Sequence, residues 1–140
     1  MASEVARSML GVSPLKEEQL SVVECACTGR DTVVIMGTGW GKSVCFELTA
    51  FMDEQGVNFR TTVVIVPLTS LIDDHVARLR NRGISAVGLH SNLEKPVSSS
   101  EVAESIMRGE LRLLFITPEL LDPWKDLLTK LVDEMRKDIP

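Results

Sequence analysis

Between an apolar run at residues 32–36 (T-V-V-I-M) and an amphipathic stretch that opens near Lys42 lies the segment G-T-G-W-G-K-S, residues 37–43. A strand feeding a glycine-rich turn that feeds a helix is a demanding junction, and few folds contain one. Continuous apolar runs of this length suit strands buried on both faces of a parallel sheet. Glycines at the turn let backbone N–H groups curl around an anion where a Cβ would block the approach. Gly39, Gly41, Lys42 and Ser43 satisfy the end of the phosphate-loop pattern, G-x-G-K-S. In that pattern the lysine reaches the β- and γ-phosphates of a nucleotide, and the serine hydroxyl takes a place on Mg²⁺. A helix starting at Lys42 would also aim its positive end at the phosphates. The first glycine of the full pattern is missing, since Met36 stands there. A dinucleotide fingerprint is excluded by the glycine spacing.

The rest of the chain alternates in the same way. Residues 1–12 read as a poorly ordered lead-in, and residues 13–140 as one incomplete nucleotide-binding domain. Ser13 and Pro14 signal a helix start, with Ser as N-cap and Pro at the first helical position, and this helix should run to about Thr28. It would bury Leu15, Leu20, Val22, Val23, Ala26 and Cys27. A helix over 42–54 follows the loop, presenting Val44, Cys45, Leu48, Phe51 and Met52 on one face. Further strands are expected at 61–66, 86–89 and 111–116. Helices are expected after Ser70, with Asp73 completing a capping box, after Ser98, and over 124–137. The pattern predicts an α/β fold with a parallel sheet and flanking helices. With 44% hydrophobic and 25% charged residues the composition is that of a globular chain, and no apolar run approaches a membrane span. An intracellular location is expected, nuclear if the source is eukaryotic.

Other candidate sites are weaker. Three cysteines (Cys25, Cys27, Cys45) are an odd count without framework spacing, so reduced thiols are expected and a metal site is not. His75 and His90 read as surface or loop residues. Asp73 and Asp74 read as charges complementing a helix N-terminus, and Arg78, Arg80 and Arg82 as an exposed helix end. A net charge of −5 gives no support by itself to nucleic-acid binding.

At the level of motifs the chain resembles the RecQ-like DNA helicases of helicase superfamily 2. The family's F-G-x-x-x-F-R-x-x-Q is met by Leu10, Gly11, Leu15, Lys16 and Gln19. Its G-R-D is met by Gly29, Arg30 and Asp31, and its M-P-T-G-G-G-K-S-L-C-Y-Q by residues 36–47. Residues 63–76 are similar to V-V-S-P-L-x-S-L-M-x-D-Q-V, and residues 113–121 to L-L-Y-V-T-P-E-R-L. Superfamily 2 loops begin with Ala or Met, which accounts for Met36. The resemblance implies a RecA-like lobe that binds ATP and Mg²⁺, with Gln19 reading the adenine edge. Thr38, Gly39, Trp40, Gly41, Lys42 and Ser43 would then surround the phosphates, with Lys42 catalytic and Ser43 on the metal. It implies DNA at a single-strand–duplex junction as partner, contacted through Pro67, Leu68, Ser70, Thr117, Pro118 and Glu119. The implied activity is ATP-driven 3′→5′ unwinding, with work in repair and recombination.

Two departures stand out within the loop: Gly37 replaces a proline, and Trp40 replaces a glycine. An outward indole is compatible with phosphate entry, and an inward one obstructs it. Asp133 and Glu134 superficially match the family's Asp-Glu motif, but they have helical periodicity and read as a solvated helix face. Two rival readings remain: a non-catalytic nucleotide- or DNA-binding remnant, and another superfamily 2 translocase of DEAD/DEAH type.

Overall fold

The strand Leu113–Ile116 lies at the centre of the structure's sheet, and all four of its residues are fully buried. The computed structural model describes residues 2–28, 30–37, 39–51, 61–90 and 98–137. It divides into two compact units, Met1–Asn58 and Phe59–Pro140. In the second unit the order is β1 (Thr62–Ile65), α4 (Thr69–Asn81), β2 (Ala86–Leu89), α5 (Ser99–Met107), β3 (Leu113–Ile116) and α6 (Pro118–Lys137). The sheet is parallel with order β1-β3-β2, and Ile65 and Leu89 both stand in register with Ile116. Side chains alternate across a strand, so β3 supplies two faces. Leu114 and Ile116 join Leu89, Val102, Ile106, Leu111 and Leu131 in one buried cluster beneath α5 and α6. Phe115 faces the other way and stacks on His75 of α4, ring centroids 5.3 Å apart. Gly88 lets α4 close on that face, because a Cβ there would meet Ile72 Cγ2 at 2.5 Å. The result is the expected α/β arrangement, with a parallel sheet between helices.

Several boundaries differ from the sequence reading for local physical reasons. β1 is shorter than 61–66 and is buried on one side only: Val63 and Ile65 are 42% and 53% exposed. The Ser70–Asp73 capping box does not form. Helix α4 begins at Thr69 with Leu68 in the N-cap position and no side-chain cap. Asp73 instead accepts a 2.8 Å hydrogen bond from His90 Nε2. His90 is therefore a buried ring, 5% exposed, and not a surface residue. Arg80 is also engaged, donating from Nε to the Ala86 carbonyl at 2.9 Å. The cap at Ser98 is made as expected, its hydroxyl accepting from Glu101 N–H. Helix α6 starts at Pro118, earlier than 124, and carries Pro123 inside its first turns. Asp133 lies exposed on that helix.

The first unit is helical: α1 (Ala2–Val5) continues as a π-helical turn (Ala6–Leu10), followed by α2 (Glu17–Cys27) and α3 (Lys42–Thr49). The opening residues thus form helical turns, and Ala6 and Leu10 are buried. Ser13–Pro14 does not start a helix: the N-cap lies at Lys16 instead. Helix α2 begins later, at an N-cap on Lys16 whose N–H donates to Gln19 Oε1 at 2.8 Å. Val23 is buried as expected, while Ala26 is exposed. The expected strand at 32–36 is absent: this run has no regular secondary structure, and Val33 and Ile35 are 85% and 86% exposed. A strand needs a neighbour for its ladder, and the other described elements of this unit are all helical. Helix α3 ends at Thr49; the last residues of the expected helix, Met52 to Glu54, lie outside the described residues.

Candidate functional site

The glycine-rich turn is held by side chains from α2 and α3. Gly39 and Gly41 adopt φ of 84° and 94°, a left-handed conformation that glycine takes without the Cβ clash. Trp40 N–H closes a turn onto the Gly37 carbonyl at 3.3 Å, and Gly41 serves as N-cap of α3. Gln19 reaches across from the first turn of α2. Its Nε2 donates to the Gly41 carbonyl at 3.1 Å and to the Trp40 carbonyl at 3.4 Å. With its Oε1 on Lys16 N–H, the amide is used on both sides and is only 3% exposed. The approach to Gly41 is close, since a Cβ there would lie 2.6 Å from Gln19 Nε2. Lys42 is exposed, and its Nζ donates to the Met36 carbonyl at 3.2 Å, spanning the turn. Ser43 follows it on the first turn of α3, half-buried. Thr38 lies outside the described residues.

Of the residues expected around a nucleotide, the fold therefore gathers Gln19, Gly39, Trp40, Gly41, Lys42 and Ser43 on one short turn and its supporting helix. The donor chemistry suits a polyphosphate: an exposed ammonium, N–H groups at a helix start, and a turn free of Cβ atoms at Gly39 and Gly41. Around Gly37 and Gly39, among the described residues other than their chain neighbours, no atom lies within 4 Å of where a Cβ would be, so these residues leave that side of the turn open. Among the described residues no group of three or more His, Cys, Asp or Glu could hold a metal ion.

The second set of expected residues lies at the carboxyl ends of β1 and β3. These strands are adjacent and parallel, and Val66 N–H bonds the Ile116 carbonyl at 3.0 Å, so residues 67–70 and 117–119 leave the sheet side by side. Pro67, Leu68, Ser70, Pro118 and Glu119 are exposed. Thr117 is fully buried, and among the described residues its hydroxyl has no hydrogen-bond partner. Two helices, α4 and α6, start at this edge. The first-turn N–H groups of α4, without a side-chain cap, are available to an anion.

Two features of the turn's surroundings were not read from the sequence. Lys16 bonds Trp40, a contact between residues 24 apart that no local pattern announces. Glu47, one turn and a half into α3, is buried to 1% exposure. Cys45 on the same helix is buried too, and burial pushes its thiol upward in pKa against a smaller lowering by a backbone hydrogen bond, so it stays protonated and a poor nucleophile.

Comparison with known proteins gives one consistent result. The chain is 35% identical over 118 residues to the ATP-dependent DNA helicase RecQ of Synechocystis sp., covering 84% of the chain and 23% of that protein. It is 36% identical over 132 residues to ATP-dependent DNA helicase Q-like 2 of Arabidopsis thaliana, covering 93% of the chain and 18% of the relative. The RecQ protein of Haemophilus influenzae is 34% identical over 118 residues, again 18% of its length. The chain thus spans about a fifth of the curated relatives it matches. Residues 16–136 match the family model for DEAD/DEAH box helicases, a span that takes in Gln19, the turn at 37–43 and both strand-end segments, and the chain belongs to that family.

Proposed function

We propose that this chain is the ATP-binding portion of a RecQ-type, ATP-dependent DNA helicase, whose full-length form couples ATP hydrolysis to 3′→5′ unwinding. The observation that carries the reading is the turn itself: Gly39 and Gly41 in the left-handed conformation, with Lys42 exposed across its opening. Backbone N–H groups of residues 39–43 and the Lys42 ammonium hold the triphosphate, and Lys42 neutralises charge on it. Ser43 would hold Mg²⁺ through its hydroxyl, which suits a cation bound by few protein groups together with substrate phosphates. When bound, the metal supplies charge neutralisation at the β- and γ-oxygens. Gln19 is the residue assigned to the adenine edge, and its buried amide would exchange its bonds to Lys16 N–H and the turn carbonyls to read the base.

The exposed residues Pro67, Leu68, Ser70, Pro118 and Glu119 form the DNA-backbone edge. Their support is the adjacent start of α4 and α6, where N–H groups meet phosphate oxygens without reading sequence. The acidic balance of the chain makes such local donors the natural source of affinity, since no basic excess supplies it. The substrate is a single-strand–duplex DNA junction inside the cell, in the nucleus if the source is eukaryotic, and the work is repair and recombination.

Calorimetric titration of Mg·ATP into the chain tests the nucleotide reading. Binding that falls about 10- to 100-fold in Lys42→Ala, the range for loss of a hydrogen bond to a charged group, supports it. Equal binding by wild type and Lys42→Ala contradicts it.

A further inference from the structure

Trp40 is the one aromatic side chain in a turn otherwise rich in glycine, and the structure shows how it is held. Lys16, at the N-cap of α2, uses one ammonium twice. Nζ donates to the Trp40 carbonyl at 2.7 Å and also sits 5.6 Å from the centroid of the Trp40 ring. A lysine over an indole face is attracted by the ring's quadrupole, and the carbonyl bond fixes the backbone of the same residue. Gln19 adds its bonds to the Trp40 and Gly41 carbonyls, and it is buried where it does so. Ring and backbone of Trp40 are thus anchored together at the start of α2. Lys42 is bonded elsewhere, to the Met36 carbonyl.

We infer that Lys16 is a positioning residue for nucleotide binding: it pins the Trp40 indole against α2 and so keeps the curve of residues 39–42 open to a triphosphate. This rests on the proposed ATP site. In the absence of Lys16 the indole is released, and its volume competes with phosphate for the open side of the turn around Gly37 and Gly39. The role belongs to the pair. A chain with a small residue at 40 has no ring to hold and asks of position 16 only the bond to the backbone carbonyl.

Two measurements test it. The chain has two tryptophans, so a Trp124→Phe background isolates Trp40. In that background Lys16→Met, which keeps the aliphatic stem, should raise acrylamide quenching and shift emission to the red, and Lys16→Arg should restore the wild-type values, because a guanidinium also stacks and donates. Unchanged quenching in Lys16→Met overturns the proposal, and this reading needs no nucleotide. Calorimetry with Mg·ATP then supplies the functional arm. Lys16→Met should weaken binding about fivefold when residue 40 is Trp, a size in keeping with loss of one exposed cation–π contact. The loss should be clearly smaller in the Trp40→Gly background, where the ring contact is gone and only the bond to the residue-40 carbonyl remains. An equal loss in both backgrounds overturns the proposal, because Lys16 would then contact the nucleotide itself. Absence of Mg·ATP binding in wild type and every variant counts against the ATP-site reading, while the quenching result still decides the anchoring of Trp40.

Discussion

Gly41 carries two constraints at once. Its φ of 94° disfavours any side chain, and a Cβ would also press on the buried Gln19 amide at 2.6 Å. Gly83 has a similar φ of 78°, and no atom lies within 4 Å of where a methyl would stand, so it reports the backbone cost alone. Gly83→Ala should therefore cost about 1–2 kcal/mol, the left-handed penalty of an L-residue. Gly41→Ala should cost more than Gly83→Ala and should also weaken Mg·ATP binding. Urea midpoints and calorimetry on both variants check this, and equal costs with unchanged binding would show that the Gln19 contact has no consequence. Residues of this kind were legible in the sequence because a conformational demand leaves only glycine. The Lys16–Trp40 contact was not legible. It joins positions far apart in the chain, and the motifs that single out Lys16 and Trp40 say nothing of a contact between them.

At the level of elements, local signals succeeded where the chain itself supplied the partner and failed where the partner was distant. The Ser98 cap formed because its acceptor and donor are three residues apart. The similar signal at Ser70 and Asp73 lost to a tertiary competitor, the buried ring of His90 at the end of β2. Asp73→Ala should cost about 1 kcal/mol, typical of one hydrogen bond to a buried group. Ser70→Ala should stay within a few tenths of a kcal/mol, as for a surface site without a cap. Thermal or urea unfolding of the two variants distinguishes the pairing from the capping box, which predicts comparable losses. Residues 32–36 teach the same lesson for strands. Their composition is that of a buried strand, yet pairing is a property of two segments, and α2 and α3 offer no edge. The parallel strands β1, β2 and β3 were found near their true positions because each carries its apolar run between helix signals that pack on the same sheet.

For the whole molecule, two compact units carry the two sets of functional residues. Met1–Asn58 holds the turn at 37–43 with its support from α2, and Phe59–Pro140 holds the strand ends at 67–70 and 117–119. The family and the α/β class follow from motifs distributed over both. Thr117, expected at the same edge, is buried at the end of β3. The central claim is that the turn of the first unit is the nucleotide site. Titration of Mg·ATP into the ¹⁵N-labelled chain, followed by backbone and side-chain amide shifts, tests it most directly. The account predicts shifts concentrated on Gly39, Trp40, Gly41, Lys42, Ser43 and the Gln19 side-chain amide, and their loss in Lys42→Ala. Shifts that leave those amides unmoved, or that centre on Leu68 to Ser70 and Glu119 instead, would contradict it.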